Sequence, residues 1–337
     1  MLRGGVPGID QRMNYERTYA RYKTLVDDYL KRFCRQTTPR SLYGPLRYVV
    51  AGGGKRIRSV LVLLSCEAVG GSVRSALHAA GGIEILHNFT LVHDDIMDNA
   101  PSRRGRATVH TKWDTNVAIL VGDELLALAY RAVLQTKSPR IQEITKVFTE
   151  GVVEVCEGQA YDKEFETRQD VTVSDYLLMI EKKTAKMVAV SSEIGALIGD
   201  GRRASVSALR RYGEYVGRAF QIQDDLLDIV ADEQKFGKAV GGDLVEGKKT
   251  FLLLEALRRA KGADKALLQA VVTNKGAPRR LIPEYRRIYY ETGVIDAALW
   301  RVKQDIARAK EELGHLPRSD ARAMLGWFAD MLLNRTY

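Results

Sequence analysis

The chain has 337 residues, 45% of them hydrophobic, which is enough for one large domain or two and ordinary for a globular protein. Its 52 lysines and arginines outnumber its 42 aspartates and glutamates, and the formal net charge of +10 raises the question of a nucleic-acid partner. The basic residues fall on helix faces and helix ends without interleaved aromatic residues that would stack on bases. We therefore expect no nucleic acid, and we favour small phosphorylated ligands.

The cysteines and the hydropathy pattern exclude further classes of protein. Cys34, Cys66 and Cys156 are widely spaced and form no CxxC pair, so the sequence predicts neither a disulfide framework nor a zinc site, and a reducing cytoplasmic location is the simplest expectation. No apolar stretch of signal-peptide length opens the sequence, and no run of about 18 apolar residues occurs. We expect neither export nor a membrane span.

Apolar residues recur at helical spacing along almost the whole chain, for example at Tyr176, Ile180, Met187, Val190 and Ile194. Period-two alternation is almost absent. Breaks rich in glycine and proline divide the pattern into roughly a dozen helices, and no change in composition marks a linker. The sequence predicts one all-α domain over residues 1–337, a helical bundle, with residues 1–10 as a disordered N-terminus.

The first stretch with candidate chemistry is GGGKRIRS, in which Lys55 and Arg58 follow a glycine turn. Glycine allows close approach of the backbone to a ligand, and two cations three residues apart suit a diphosphate. Taken alone, this pattern is also typical of an ordinary turn.

The second stretch is LVHDDIMDNAPSRRG, which places Asp94, Asp95 and Asp98 just before Arg103 and Arg104. On a helix Asp94 and Asp98 are i and i+4 and share one face. The two arginines are close enough in sequence to reach a phosphate held there, although an isolated Arg-Arg pair is more often a solvated turn. His87, one turn before Leu91, is as readily explained by a structural role.

The pattern returns in FQIQDDLLD, where Asp224, Asp225 and Asp228 repeat the same spacing. Like charges at i and i+4 repel one another unless a cation lies between them, and hard oxygen ligands suit Mg²⁺. One such cluster could be a solvated helix end, but two copies favour metal binding. We expect two acidic helix ends that face each other across a cavity, bridged by Mg²⁺ and a diphosphate.

Residues 231–250, ADEQKFGKAVGGDLVEGKKT, carry glycines and lysines with little periodicity. Such composition usually indicates a flexible surface loop. Because the segment directly follows the second acidic cluster, we favour a mobile basic loop that covers a bound phosphate.

In order and spacing, these stretches resemble the trans-isoprenyl diphosphate synthases of the polyprenyl synthetase family. The resemblance covers nearly the whole chain, through GGKRIR, EILHNFTLVHDDIMD, RRG, EGQAYD, KKTA, FQIQDDLLDIVAD and GKAVGGDLVEGKKT. One departure is Ser59, where the family often has proline. The resemblance implies an all-α bundle around a deep central cavity, a homodimer, two or three Mg²⁺ ions, and condensation of isopentenyl diphosphate with an allylic diphosphate.

Two related classes of protein remain as alternatives. Class I terpene cyclases share the bundle and the first acidic motif, but they usually have an Asn/Asp, Ser/Thr, Glu triad where this chain has Asp224, Asp225 and Asp228. A non-catalytic prenyltransferase subunit usually loses acidic residues that this chain keeps. Both comparisons favour the synthase.

The resemblance also implies a role for each candidate residue. The metal ligands would be Asp94, Asp98 and Asp224, supported by Asp95, Gln159, Asp162, Asp225 and Asp228. An allylic set would hold the allylic diphosphate and comprises Arg103, Lys183 and Lys238, with Lys248 assisting. An isopentenyl set would hold the second substrate and comprises Lys55, Arg58, His87 and Arg104. Thr184 and Gln221 would turn oxygen dipoles toward the carbocation, and the released diphosphate would accept the proton.

Product length is expected to depend on Phe89, five residues before Asp94. Five residues place it ~7.5 Å along the helix axis from the first metal ligand, where a prenyl tail would pass, although core packing is the commoner role of a phenylalanine. An aromatic residue at this offset resembles synthases of C20 products, and the small Thr90 beside it separates the chain from farnesyl synthases with two adjacent aromatics. We expect geranylgeranyl diphosphate, with farnesyl diphosphate as the alternative and a C25 product less favoured.

Overall fold

The computed structural model describes residues 9–231 and 240–333 of the chain. Within these residues the protein is helical apart from one short antiparallel hairpin, which confirms the predicted all-α class. None of the described helices is long and apolar enough to cross a membrane.

The helices of the first half of the chain follow one another with short connections. They are α1 (Ile9–Phe33), α2 (Arg40–Val50), α3 (Ile57–Ala68), α4 (Val73–Met97), α5 (Val109–Lys112), α6 (Thr115–Leu134) and α7 (Ile141–Thr167). Between α4 and α5 lies the hairpin of β1 (Ser102–Arg103) and β2 (Arg106–Ala107), in which Arg103 pairs with Arg106. Helix α1 begins at Ile9, inside the N-terminal segment that the sequence predicted to be disordered.

The second half continues with α8 (Val173–Ile180), a π-helical segment (Glu181–Ala185), α9 (Lys186–Ile198) and α10 (Arg203–Val230). The remaining α-helices are α11 (Gly242–Val245), α12 (Phe251–Arg259), α13 (Gly262–Thr273), α14 (Ile282–Glu291), α15 (Val294–Glu312) and α16 (Asp320–Leu333). One 3₁₀ turn, Arg279–Leu281, precedes α14, and a second, Leu313–His315, follows α15. The single-turn helix α11 lies within residues 231–250, where the sequence predicted a loop because the segment lacks apolar periodicity.

The chain divides into two compact units. The first comprises Met1–Phe148, Ser191–Ser207 and Leu316–Trp327; the second comprises Thr149–Val190, Ala208–His315 and Phe328–Tyr337. The prediction of one domain over the whole chain stays a prediction.

The first unit is organised around α3, whose residues Val60 to Leu64 are completely buried. A helix that is apolar on every side must be surrounded by other elements, and α3 packs against α4 and α1 while α4 also packs along α6. Ser72 is the N-cap of α4, and its hydroxyl accepts a hydrogen bond from the Arg74 amide, which satisfies one of the unpaired amides of the first turn. This packing holds the acidic end of α4 on a rigid element.

In the second unit a capping box starts α8. The Thr172 side chain accepts from the Asp175 amide, and the Asp175 carboxylate accepts from the Thr172 amide. The helix continues into the π-helical segment that contains Lys183 and Thr184, and π segments of this kind occur mostly as single turns, often at functional sites. Gly158 on α7 makes room for this turn, because a β-carbon at that position would lie 2.3 Å from the Lys183 amide nitrogen.

We expect Gly158→Ala to destabilise the protein by about 1–3 kcal/mol, because the added methyl group would push apart α7 and the π-helical backbone. The measurement is Tm by circular dichroism, with a decrease of several degrees expected. Gly44→Ala is the matched control, since a β-carbon there meets no atom within 4 Å and alanine favours the helix. Equal Tm values for the Gly158→Ala protein and the unmodified protein would contradict this close approach.

Candidate active site

The first acidic stretch forms the C-terminal end of α4. Asp98 caps this helix, and its amide donates to the Asp94 carbonyl at 2.9 Å, so the two carboxylates lie one turn apart as the sequence predicted. Asp94 is half-buried and Asp98 is exposed. The pair is therefore open to a ligand in a way that a buried carboxylate is not.

Asp95, the third acid of this stretch, is buried and has a different environment. Nε of Arg103, on β1, donates to Asp95 Oδ1 at 2.7 Å. Burial raises the pKa of Asp95, while the positive charge of Arg103 opposes that rise. Asp95 thus orients Arg103 and connects the hairpin to α4.

Two members of the isopentenyl set are in direct contact in the first unit, and a third contacts the glycine turn. Arg58 Nη1 lies 3.3 Å from His87 Nε2, and Arg104 Nη1 donates to the carbonyl of Gly53, in the turn that also carries the exposed Lys55. The structure thus brings together a histidine and two arginines that are far apart in sequence.

The surroundings of His87 favour the neutral form of its imidazole ring. Its pKa lies well below the ordinary value, first because the ring is buried and second because Arg58 and Arg104 are nearby. An arginine side chain has only donors, so the Nε2 atom that faces Arg58 must accept, and the proton must be on Nδ1. His87 therefore has one nitrogen that can donate to an anionic ligand.

In the second acidic stretch, Asp225 is buried and accepts hydrogen bonds at both oxygens. The Tyr176 hydroxyl donates to Oδ2 at 2.5 Å, and Gln221 Nε2 donates to Oδ1 at 2.9 Å. Burial raises the pKa of Asp225 well above its ordinary value, and these two hydrogen bonds oppose the rise. Asp224, its neighbour, is exposed, so these two adjacent acids have different surroundings.

Gln221 continues this network toward the π-helical segment, since Thr184 Oγ1 donates to Gln221 Oε1 at 2.9 Å. On the same segment Lys183 Nζ lies 2.5 Å from Asp162 Oδ2 of α7, where the half-buried Gln159 precedes Asp162 by three residues. Five of the candidate residues are therefore joined pairwise within the second unit. Tyr176 was missed as a functional residue because its spacing indicated only an apolar helix face.

The part of the basic loop that the structure describes is anchored by Asp228. Its carboxylate accepts from the amides of Gly242 and Asp243, at 3.2 and 3.1 Å, and so caps α11. Lys248 forms ion pairs with Asp243 and Glu246. Burial, together with neighbouring acids, raises the pKa of Asp243 to about 7. Asp243 was not among the candidate residues predicted from the sequence. Lys238 lies outside the described residues.

Phe89 is buried on α4, 8% exposed, and its ring packs against His93 with 4.7 Å between ring centroids. Thr90 is half-buried, and its hydroxyl donates to the His87 carbonyl at 2.9 Å. His93 was not considered from the sequence, although a histidine four residues after an aromatic residue lies on the same helix face.

The family model and the most similar relatives all indicate the same protein family. The family model of the polyprenyl synthetases matches residues 39–287. A short chain isoprenyl diphosphate synthase of Methanothermobacter thermautotrophicus is 39% identical over 94% of this chain and 97% of its own. A geranylgeranyl diphosphate synthase of Methanosarcina mazei is 38% identical over 89% and 92%, and a geranylfarnesyl diphosphate synthase of Natronomonas pharaonis is 38% identical over 89% and 91%.

Solved structures give the same result at the level of the fold. Geranylgeranyl pyrophosphate synthetase from Pyrococcus horikoshii superimposes with a TM-score of 0.90 and 38% identity, over 96% of this chain and 99% of that one. A polyprenyl synthase from Caulobacter crescentus, in complex with calcium and isoprenyl diphosphate, has a TM-score of 0.86 and 27% identity over 98% of both chains. Sequence and fold agree along almost the whole chain, and it therefore belongs to the polyprenyl synthetase family.

Proposed function

We propose that this protein condenses isopentenyl diphosphate head-to-tail with allylic diphosphates of C5 to C15, with geranylgeranyl diphosphate as its main product. The general activity follows from family membership: the chain is a trans-isoprenyl diphosphate synthase, a prenyltransferase. The use of isopentenyl diphosphate is best supported by the contact of Arg58 with His87 and the hydrogen bond from Arg104 to the glycine turn. These residues would form a second diphosphate site, which a terpene cyclase does not need.

The donor groups of the two acidic stretches fit Mg²⁺. Asp94, Asp98 and Asp224 offer carboxylate oxygens only, and none of the three is fully buried. Among the described residues, no group of three or more His, Cys, Asp or Glu side chains is arranged to hold a metal ion by itself. Mg²⁺ commonly takes one or two carboxylates and completes its shell with water and substrate phosphate, so two or three ions would depend on the bound diphosphate.

The charge on the departing diphosphate is the main electrostatic problem of the reaction. Bound Mg²⁺ would stabilise the negative charge that develops on this group as the allylic C–O bond breaks. From the chain itself, Arg103 and Lys183 would neutralise part of that charge, with Lys238 and Lys248 as the other proposed contacts. Asp95 and Asp162 already orient the first two of these cations, so little rearrangement is needed when the substrate binds.

The allylic cation needs polar groups that stabilise it without capturing it. Thr184 and Gln221 are joined by a hydrogen bond, and Gln221 is in turn held by the buried Asp225. We propose that their oxygen dipoles face the cation in a site from which water is excluded. The isopentenyl set would direct the double bond of the second substrate at the same carbon, and the released diphosphate would accept the proton.

A homodimer is part of the proposal. Ile119 and Leu120 lie on α6 with 42% and 59% of their surface exposed, and adjacent exposed apolar side chains are typical of association surfaces. The mass of the protein in solution tests this expectation.

Replacing Asp94 or Asp224 with alanine should reduce kcat at least about a thousandfold. Each change removes an oxygen ligand whose effect is greatest in the transition state, and several kcal/mol correspond to this factor. The measurement is turnover of labelled isopentenyl diphosphate across a Mg²⁺ titration. Asp28→Ala removes an exposed carboxylate of α1 and should leave kcat unchanged. Near-normal turnover of either motif variant at saturating Mg²⁺ would refute the assignment of the metal ligands.

The two cation sets should have separable kinetic effects. We expect Arg58→Ala to raise mainly the KM for isopentenyl diphosphate and Lys183→Ala to impair mainly the allylic substrate or its ionisation, because each removes a charge from a different substrate site. Initial rates with each substrate varied in turn provide the measurement. Arg202→Ala, an exposed cation, serves as the control. Identical defects in the two variants would argue against separate sites.

Phe89→Ala should lengthen the product by at least one C5 unit, because it removes the ring that we propose closes the path of the tail. Thr90→Phe should shorten it toward farnesyl diphosphate. Chromatography of labelled products measures both, and Met97→Ala, an exposed change on the same helix, should not alter the distribution. An unchanged product profile in a well-folded Phe89→Ala protein would place the limit on chain length elsewhere.

Relatives of equal identity that make geranylgeranyl and geranylfarnesyl diphosphates show that overall similarity alone does not decide product length.

A further inference from the structure

A buried ion pair lies beneath the turn that carries the isopentenyl set. Arg56, between Lys55 and Arg58, is only 4% exposed and adopts a left-handed backbone conformation with φ of 56°. Its Nε donates to Asp27 of α1 at 2.8 Å, and its Nη1 donates to Glu84 of α4 at 2.9 Å. A non-glycine residue in this backbone region is uncommon, so these contacts hold the turn in a conformation that it would otherwise rarely adopt.

Glu84 is 3% exposed, and each of its oxygens has a different donor. Arg56 donates to Oε1, and the hydroxyl of the fully buried Ser59 donates to Oε2 at 2.8 Å. Two donors from the start of α3 therefore fix the plane of the carboxylate. Since His87 follows Glu84 by three residues on α4, the same helix turn carries a member of the isopentenyl set.

The charge of Glu84 acts on the two arginines of this set. Burial lowers the pKa of both Arg58 and Arg104, and in each case the nearby negative charge of Glu84 opposes this effect. Nε of Arg58 is buried and has no hydrogen-bond partner among the described residues. Both oxygens of Glu84 accept from Arg56 and Ser59, so this carboxylate acts on Arg58 through its charge and leaves the Nε donor of Arg58 available.

We propose that Glu84 is a positioning residue for isopentenyl diphosphate and that Ser59 fixes its carboxylate in the orientation that leaves Arg58 available to the substrate. The inference rests on the proposed role of the isopentenyl set. It assigns a role to Ser59, at which this chain departs from the proline that its family often has.

The Ser59 amide is not needed for the helical hydrogen bonds of α3. The first intrahelical hydrogen bond of α3 runs from the Val60 amide to the Arg56 carbonyl, which leaves the Ser59 amide outside the helical pattern. What proline cannot supply is the hydroxyl donor to Glu84. Ser59→Pro and Ser59→Ala therefore remove the same hydrogen bond with different effects on the backbone.

The experiment compares Ser59→Ala, Ser59→Pro, Glu84→Ala and Arg58→Ala by steady-state kinetics, calorimetric titration with isopentenyl diphosphate, and Tm. We expect both Ser59 variants to raise the KM and Kd for isopentenyl diphosphate about tenfold, the size expected for one hydrogen bond to a charged group. The allylic KM and kcat should stay within about twofold. Glu84→Ala should raise the isopentenyl KM further, because it also leaves Arg56, which holds the turn of Lys55, without one of its two carboxylate acceptors. Ser65→Ala is the matched control, because Ser65 is equally buried on α3 and its hydroxyl has no partner among the described residues.

Several results would overturn the inference. These are an unchanged Kd for isopentenyl diphosphate in both Ser59 variants, an equal increase in the Ser65→Ala protein, or a fall in kcat without a change in KM. If Glu84→Ala does not fold, because Arg56 is left as an unpaired buried charge, the two Ser59 variants decide the question alone. An effect of Arg58→Ala without one of Ser59→Ala refutes only this inference, whereas an unaffected Arg58→Ala protein refutes the proposed isopentenyl site as well.

Discussion

Both units depend on one constraint, which is that every buried charged side chain needs a partner of opposite charge or a hydrogen-bond donor. An unpaired buried charge costs several kcal/mol, so each cation or carboxylate that leaves water needs a dedicated partner. In the first unit Glu84 and Asp27 compensate Arg56. In the second, Arg218 lies 2.6 Å from the fully buried Asp305, and Tyr176 with Gln221 satisfies Asp225. The positions of α1, α3 and α4, and of α8 and α10, are tied to these contacts.

This requirement divides the acids of each stretch into two kinds. Asp95 and Asp225 are buried, accept hydrogen bonds from the chain, and hold other side chains in place. Asp94, Asp98 and Asp224 keep more contact with solvent, which a metal ion and a diphosphate could replace. Asp228 belongs to neither kind, since it caps α11 and anchors the start of the described part of the basic loop. Adjacent residues of the same type therefore have different chemical roles because only some of them are desolvated.

Irregular backbone occurs where the candidate side chains are concentrated. The π-helical turn carries Lys183 and Thr184, and the left-handed conformations of Arg56 and Arg104 occur in the two turns of the isopentenyl set. Such conformations persist only when surrounding contacts stabilise them, here the backbone approach at Gly158 and the ion pairs of Arg56. The sequence reasoning found the residues at these places and did not foresee the backbone that carries them, because helical periodicity continues across a π turn.

The sequence alone determined the all-α class, the breaks between the long helices, and the shared face of Asp94 and Asp98, because these depend on residues near one another along the chain. The order and spacing of its motifs also indicated the family, which the comparisons confirmed. Only the tertiary structure decided which acids are buried and which partners they have. Tyr176 lies 49 residues from Asp225, and Ser59 lies 25 residues from Glu84. Hydrogen bonds between segments so far apart depend on how helices pack, and apolar periodicity indicates which face of a helix is buried but not which helix it meets.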